Sequence, residues 1–163
     1  MLRRLSHLLL LGALVSSISC GGSAAAPTPI NVPYSVTDLI VGTGTTVTAG
    51  MGVEFSYVVY QYSTTASDHK GTSLGDSNQS GPFIAVLGQT PPQMIAGLEQ
   101  GLLGMKVSGR REIVVPPELG YGAAGTTGIP PNATLLFIID LLQAQVVTAA
   151  KQPTASRLPL SPR

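Results

Sequence analysis

Nucleophilic and acid–base catalysis need an imidazole or a thiolate within reach of a partner, and this sequence offers few of either. Beyond its first nineteen residues it carries one histidine, His69, inside the polar segment STTASDHKGTSLGDS, and its single cysteine is Cys20. Ser-His-Asp and Cys-His arrangements therefore lack a plausible base. No His/Cys cluster has zinc spacing, and Asp68 with Asp76 is too sparse for a calcium loop, which needs several oxygen ligands at fixed positions. The glycine cluster GYGAAGTTG does not read GxxxxGK[ST] and opens no helix, so it is not a phosphate cradle. His69 and Asp68 read as solvated loop residues. No metal or cofactor is expected, and what remains is an apolar site.

The elements that must position such a site follow from composition and period. A chain of 163 residues accommodates one domain with end segments. Hydrophobic residues make up 44% and charged residues 10%, and the formal net charge is +1. No basic patch of the kind that binds phosphates appears, so nucleic acid is not expected as a partner. With 19 Gly, 13 Pro and no Trp, turns should be many and the core should rest on Val, Ile, Leu, Tyr and Phe.

The dominant hydrophobic period is two, the signature of half-buried strands. VEFSYVVYQY places Val53, Phe55, Tyr57 and Val59 on one face. REIVVP alternates Ile113 and Val115 against Glu112 and Val114, and stops at Pro116-Pro117, which cannot continue a central strand. TLLFIIDLLQAQV puts Leu135, Phe137, Ile139 and Leu141 on one side, while its other side is apolar too except at Asp140. VTDLIVGTG and FIAVLG read as shorter strands. One segment departs from the pattern: in PPQMIAGLEQGLLGM, Met94, Ile95, Leu98 and Leu102 recur at helical spacing, with Gly101 or Gly104 as the stop. The sum is an α+β domain in which an antiparallel sheet of five or six strands wraps around one short helix.

The ends read differently. MLRR followed by LLLLGALV has the layout of a secretory signal peptide over residues 1–19. Cys20 lies where the apolar run ends and precedes GGSAAAPTP, which resembles a bacterial lipoprotein signal with a lipidated cysteine and a tether over residues 20–32. The position three before the cysteine is Ser17, where such signals prefer Leu, and ordinary cleavage at Ala25 or Ala26 would discard Cys20 instead. Loss of Arg3 and Arg4 with the signal leaves seven basic against eight acidic residues, a nearly neutral mature chain. Residues 148–163 are rich in Pro, Ser and Ala without period and read as a disordered tail, which leaves 33–147 as the folded domain.

Across residues 36–143 the order VGTG, AGMGVEFSY, PFIAVLG, MIAGLEQGLLGMKVSGRREIVVPPELGYGAAGTTGIPPNATLLFIIDLL resembles the FKBP-type peptidyl-prolyl cis-trans isomerases. Its most specific part, VPPELGYGAAG with GIPPNATLLFIIDLL, is similar to the family's P-x-x-x-Y-G loop followed by I-P-P-N-A-T-L-x-F-x-x-x-L-L. The resemblance implies a curved half-barrel around one helix, with an apolar pocket between them that takes proline-containing polypeptides and rapamycin-type macrolides. It implies that Tyr57, Phe83 and Phe137 form aromatic walls. Ile95 would offer its N–H to a substrate carbonyl, Tyr121 would donate from its hydroxyl, and Met94 and Ile129 would line the rim. Two departures stand out: the floor position, commonly tryptophan in this family, is Leu98, and where the family reads F-D-S-S this chain has Leu74 with Asp76 one residue further on, so the resemblance implies Leu98 and Asp76 as substrate-binding residues. The activity implied is isomerisation of X-Pro bonds in exported proteins, from a lipid-anchored position in the cell envelope. A non-catalytic peptide-binding module or holdase on the same fold is the alternative.

Overall fold

Strands of twelve residues span roughly 40 Å, and two of them form the spine of the molecule. β2 (Met51–Tyr62) and β6 (Leu135–Val146) run antiparallel side by side. The computed structural model describes residues 32–147. Cys20, the signal segment, the tether up to residue 31 and the tail from residue 148 lie outside the described residues.

On one side of this spine β5 (Arg110–Val115) pairs with β6, and β1 (Ser35–Ile40) completes the edge. On the other side two short strands follow one another along β2. β4 (Phe83–Val86) takes residues 52–55 and β3 (Lys70–Asp76) takes residues 58–62. Every pairing is antiparallel, giving six strands in one open sheet.

The alternation in the sequence decides which face of this sheet is buried. Val53, Phe55, Tyr57 and Val59 are buried, and the residues between them are half-exposed. The register sets Val59 opposite Phe137, Tyr57 opposite Ile139 and Phe55 opposite Leu141, so the inner rows of both long strands stack in layers. A register shift between Glu54 and Phe55 marks a bulge, which bends the sheet and increases its twist.

The one α-helix among the described residues, α1 (Ala96–Leu102), has seven residues, too few to persist alone in water. Tertiary contacts hold it. Leu98 and Leu102 enter the core, and the opposite requirement, close approach to β5, is met by Gly97 and Gly101. A Cβ at Gly97 would stand 2.5 Å from a methyl of Val115, and one at Gly101 would stand 2.4 Å from a methyl of Ile113. At the helix C-terminus the carbonyls left without intrahelical donors meet Arg111 of β5, a buried guanidinium. It donates to the Gly101 carbonyl at 2.7 Å and the Leu103 carbonyl at 3.1 Å. Its other edge donates to both carboxylate oxygens of Asp38 on β1, at 2.7 and 3.1 Å, and these bonds hold the Asp38 carboxyl below its ordinary range.

Three details differ from the sequence reading. Residues 70–76, read as part of a polar loop, form β3. Four of the seven residues of this edge strand are Gly, Ser or Thr and it is held through its main chain to β2, so it shows no alternation to read. The helix begins at Ala96, since Ile95 is extended (φ −67°, ψ 149°) and serves as the N-cap. Gly101 is interior to the helix, and Gly104, at φ 75°, follows its end.

Candidate active site

Four aromatic rings come together on the inner face of the sheet. Phe55 and Tyr57 are successive inner residues of β2, Phe83 opens β4 and Phe137 lies on β6. Phe83 meets Phe55 edge-on with ring centroids 5.4 Å apart. Phe55 and Tyr57 are 6.4 Å apart, and Tyr57 and Phe137 6.3 Å apart, all at tilted angles that suit the ring quadrupoles. Phe55 was legible as a core residue two positions before Tyr57, but not as the ring that joins Phe83 to the others. Leu98, 2% exposed, packs into the same cluster from α1, together with Met94 and Ile129.

Ile95, Leu74 and Tyr121 are half-buried and pack against the core that contains these rings. Ile95 caps the helix with its carbonyl, which accepts from Leu98 and Glu99, and among the described residues no acceptor takes its N–H. Tyr121 follows the 3-10 turn Pro117–Leu119. Burial, and then the neighbouring Tyr57, push its hydroxyl pKa up to about 12, so it remains a neutral donor. Burial also raises Tyr57, with the carboxylate of Asp76 adding to the effect.

Asp76 reaches this neighbourhood through a bulge. β3 pairs Val59 with Gly75 and then Tyr60 with Ser73, so Leu74 has no partner across the strands and the extra residue is absorbed there. Leu74 packs against the core cluster. Asp76 caps a 3-10 turn (Ser77–Gln79) by accepting from the Asn78 N–H at 2.7 Å, and the buried Ser77 hydroxyl accepts from the Tyr57 N–H at 2.8 Å. The turn is thereby fastened to the strand that carries Tyr57.

The segment after Tyr121 folds by main-chain bonds. Thr126 and Ile129 exchange both N–H···O bonds, at 3.0 and 2.9 Å, closing a two-residue turn, and Asn132 N–H donates to the Gly122 carbonyl at 3.0 Å. Gly125 sits at φ 63°, and a Cβ there would lie 2.5 Å from the Ile129 carbonyl oxygen. The loop thus ends with Ile129 buried against the cluster, and Pro130-Pro131 leads back toward β6.

Two other features stand apart. His69, the one imidazole among the described residues, is exposed near the tip of the β2–β3 hairpin. It adopts φ 57°, stacks on Tyr62 at 4.9 Å and lies 3.1 Å from the Ser63 carbonyl through Nδ1. Five residue steps along β2, roughly 17 Å, separate Tyr62 from Tyr57. An open groove of about 290 Å³ lies beside it, lined by Gln61, Tyr62, Ser63, Thr64, Gly71 and Thr72. It shares no residue with the aromatic cluster, and its lining is hydroxyls, one amide and a glycine, with His69 stacked on Tyr62 but not among the lining residues, so the apolar cluster is the better candidate. No group of three or more His, Cys, Asp or Glu residues suited to a metal occurs among the described residues.

This arrangement of sheet, helix and loop has known relatives. A model of the FKBP-type peptidyl-prolyl cis-trans isomerase family matches residues 46–142. A probable FK506-binding protein of Corynebacterium glutamicum is 36% identical over 109 residues, covering 67% of this chain and 85% of that protein. FK506-binding protein 2B of Rhizopus delemar is 38% identical over 143 residues, covering 86% of this chain and 64% of that protein. Some relatives are much longer, and the chain spans 21% of FK506-binding protein 4 of Chaetomium thermophilum. Among solved structures, FkpA from Escherichia coli superposes with a TM-score of 0.58 at 29% identity, over 73% of this chain and 51% of that one. AtFKBP13 gives the same TM-score at 26% identity, over 69% and 93%. The matched segment contains the whole aromatic cluster, helix α1 and the glycine loop: the chain belongs to the FKBP-type peptidyl-prolyl cis-trans isomerase family.

Proposed function

We propose that this chain accelerates cis-trans rotation about X-Pro peptide bonds, using an apolar site and no covalent or acid–base step. The observation that carries the proposal is that Tyr57, Phe83, Phe137 and Leu98 share one core against which Ile95 and Tyr121 pack, with the Ile95 N–H and the Tyr121 hydroxyl as uncommitted donors. Rotation about a peptide C–N bond is opposed by ~18–20 kcal/mol of lost amide resonance, and uncatalysed X-Pro exchange takes tens of seconds or longer. A site lowers this barrier when it favours the twisted amide over the planar one. The twisted carbonyl is less polarised, so a dry aromatic surround suits it better than the planar ground state. The proline ring packs among the rings of β2, β4 and β6. The Ile95 N–H holds a flanking carbonyl, and Tyr121 donates from the other lip while the imide turns. Each tenfold gain in rate takes only ~1.4 kcal/mol.

A protease-coupled assay on X-Pro peptides tests this. Turnover that survives mutation of His69 supports it. Tight peptide binding without turnover would assign the chain to the alternative, a non-catalytic binding module or holdase. The proposal extends to rapamycin-type macrolides as competing ligands, held more weakly than by a tryptophan floor because Leu98 offers no aromatic face.

The setting proposed for this activity is the cell envelope, with exported polypeptides as clients. Support comes from the signal-like residues 1–19 and from Cys20 at the end of the apolar run. A lipid on Cys20 would retain the protein at a membrane, and Cys20→Ala should move it to the aqueous phase in detergent partitioning. Identical partitioning of both forms into the aqueous phase would remove the anchor from the account.

A further inference from the structure

We propose that Tyr34, the residue before β1, is a positioning residue for the first turn of α1 and thereby sets how the site discriminates among X-Pro segments. The inference rests on the reading of the aromatic cluster as the isomerase site. The Tyr34 hydroxyl donates to the Gly97 carbonyl at 3.0 Å, across 63 positions of sequence. Gly97 stands between the N-cap and the helix residue that the site uses, following Ile95 by two positions and preceding Leu98 by one.

The geometry gives this bond an uncommon share of the work. Ile95, as N-cap, provides no side-chain hydrogen bond to the helix, so the first turn lacks the usual local fastening. Its two polar ties come from outside the helix: Tyr34 on the β5 side, and on the other side the Glu99 carboxylate, which accepts from the Gly88 N–H. The helix C-terminus has its own clamp in Arg111. Tyr34 also lies along the glycine face of the helix, since a Cβ on Gly101 would come within 3.0 Å of its hydroxyl oxygen. Burial raises the pKa of this hydroxyl, with the Arg111 guanidinium working against the rise, and the group stays protonated to donate. Tyr34 takes no part in the ring contacts of the site, so its influence passes through the position of the Ile95 N–H and the Leu98 side chain. A displacement of ~1 Å at such points can cost about 100-fold in rate.

The test compares kcat/KM for a Leu-Pro and an Ala-Pro peptide in the wild type, in Tyr34→Phe and in Thr37→Ala. Tyr34→Phe keeps the ring and deletes one hydroxyl. Thr37 is an exposed residue of β1 whose partner across the strands is Glu112. The ratio of the two values is independent of how much enzyme is folded, so loss of structure alone cannot move it. Tyr34→Phe should narrow the wild-type discrimination by about threefold, in the range of one hydrogen bond, and shift the Ile95 amide resonance. Thr37→Ala should do neither. An unchanged ratio in Tyr34→Phe, or an equal change in Thr37→Ala, overturns the inference while leaving the isomerase reading intact. A wild type without isomerase activity removes both.

Discussion

The two lips of the site are held by different physics. The helix lip, residues 94–98, is fixed by core packing. Leu98 is buried, Gly97 and Gly101 press against Val115 and Ile113, and Arg111 closes the far end of the helix. The loop lip, residues 120–132, is shaped by its own main chain, through three glycines at positive φ and the paired bonds of Thr126 and Ile129. The helix lip therefore cannot be disturbed without disturbing the core, whereas the loop lip can change shape while the rest of the fold stays intact.

The strongest break of this comparison should come at Gly97. Gly97→Ala forces a methyl to within 2.5 Å of a β-branched side chain in the sheet. Overpacking of this kind costs ~1–3 kcal/mol. The helix must also retreat from β5, so denaturant stability and kcat/KM should fall together. A variant of wild-type stability with lost activity would separate what the comparison joins.

Gly125→Ala should show the reverse. The substitution meets both a left-handed backbone (φ 63°) and the Ile129 carbonyl at 2.5 Å, so the loop must rearrange. Activity should drop about tenfold, equivalent to ~1.4 kcal/mol, while the unfolding midpoint falls, through the buried Ile129, by less than in Gly97→Ala. A midpoint lowered as far as that of Gly97→Ala would make the loop part of the core.

The same contrast explains what could be read in the sequence. The inner rows of β2, β5 and β6 were legible because burial on one face leaves a period of two, and the helix was legible through Met94, Ile95, Leu98 and Leu102. β3 was not, since it pairs through its main chain and its Gly, Ser and Thr side chains follow no period. The bulge at Leu74 was visible only as a misfit of Asp76 to the resembled motif, because two residues against one across a ladder leaves no composition signal. Arg111 was equally silent. Its burial depends on Asp38 and two helix carbonyls that come together only in the folded chain. Tyr34 stood outside every periodic segment.

A smaller effect probes where the lips meet. Tyr121→Phe keeps the ring against the cluster and removes one hydroxyl. A loss of several-fold in kcat/KM is expected, in line with a hydrogen bond worth ~0.5–1.5 kcal/mol, with stability almost unchanged. Full activity in Tyr121→Phe would leave the loop lip with a steric role alone.

The smallest effect expected is that of pH. Tyr121 is raised to about 12 and Tyr57 is raised as well, so neither hydroxyl ionises near neutrality. His69 stacks on Tyr62 at the hairpin, away from both lips. From pH 6 to 8 kcat/KM should stay flat, and His69→Ala should leave it unchanged, whereas an acid–base enzyme would show an inflection at its catalytic pKa. Stability carries the complementary sign. A tyrosine whose folded pKa exceeds its unfolded value of about 10 retains its proton in the fold after the unfolded chain has released it. Stability from this source is therefore complete below about pH 10 and declines as pH rises toward 12. A bell-shaped rate profile near neutrality that vanishes in His69→Ala would place proton transfer at the centre of the reaction and displace the account of both lips as a positioning, water-excluding surface.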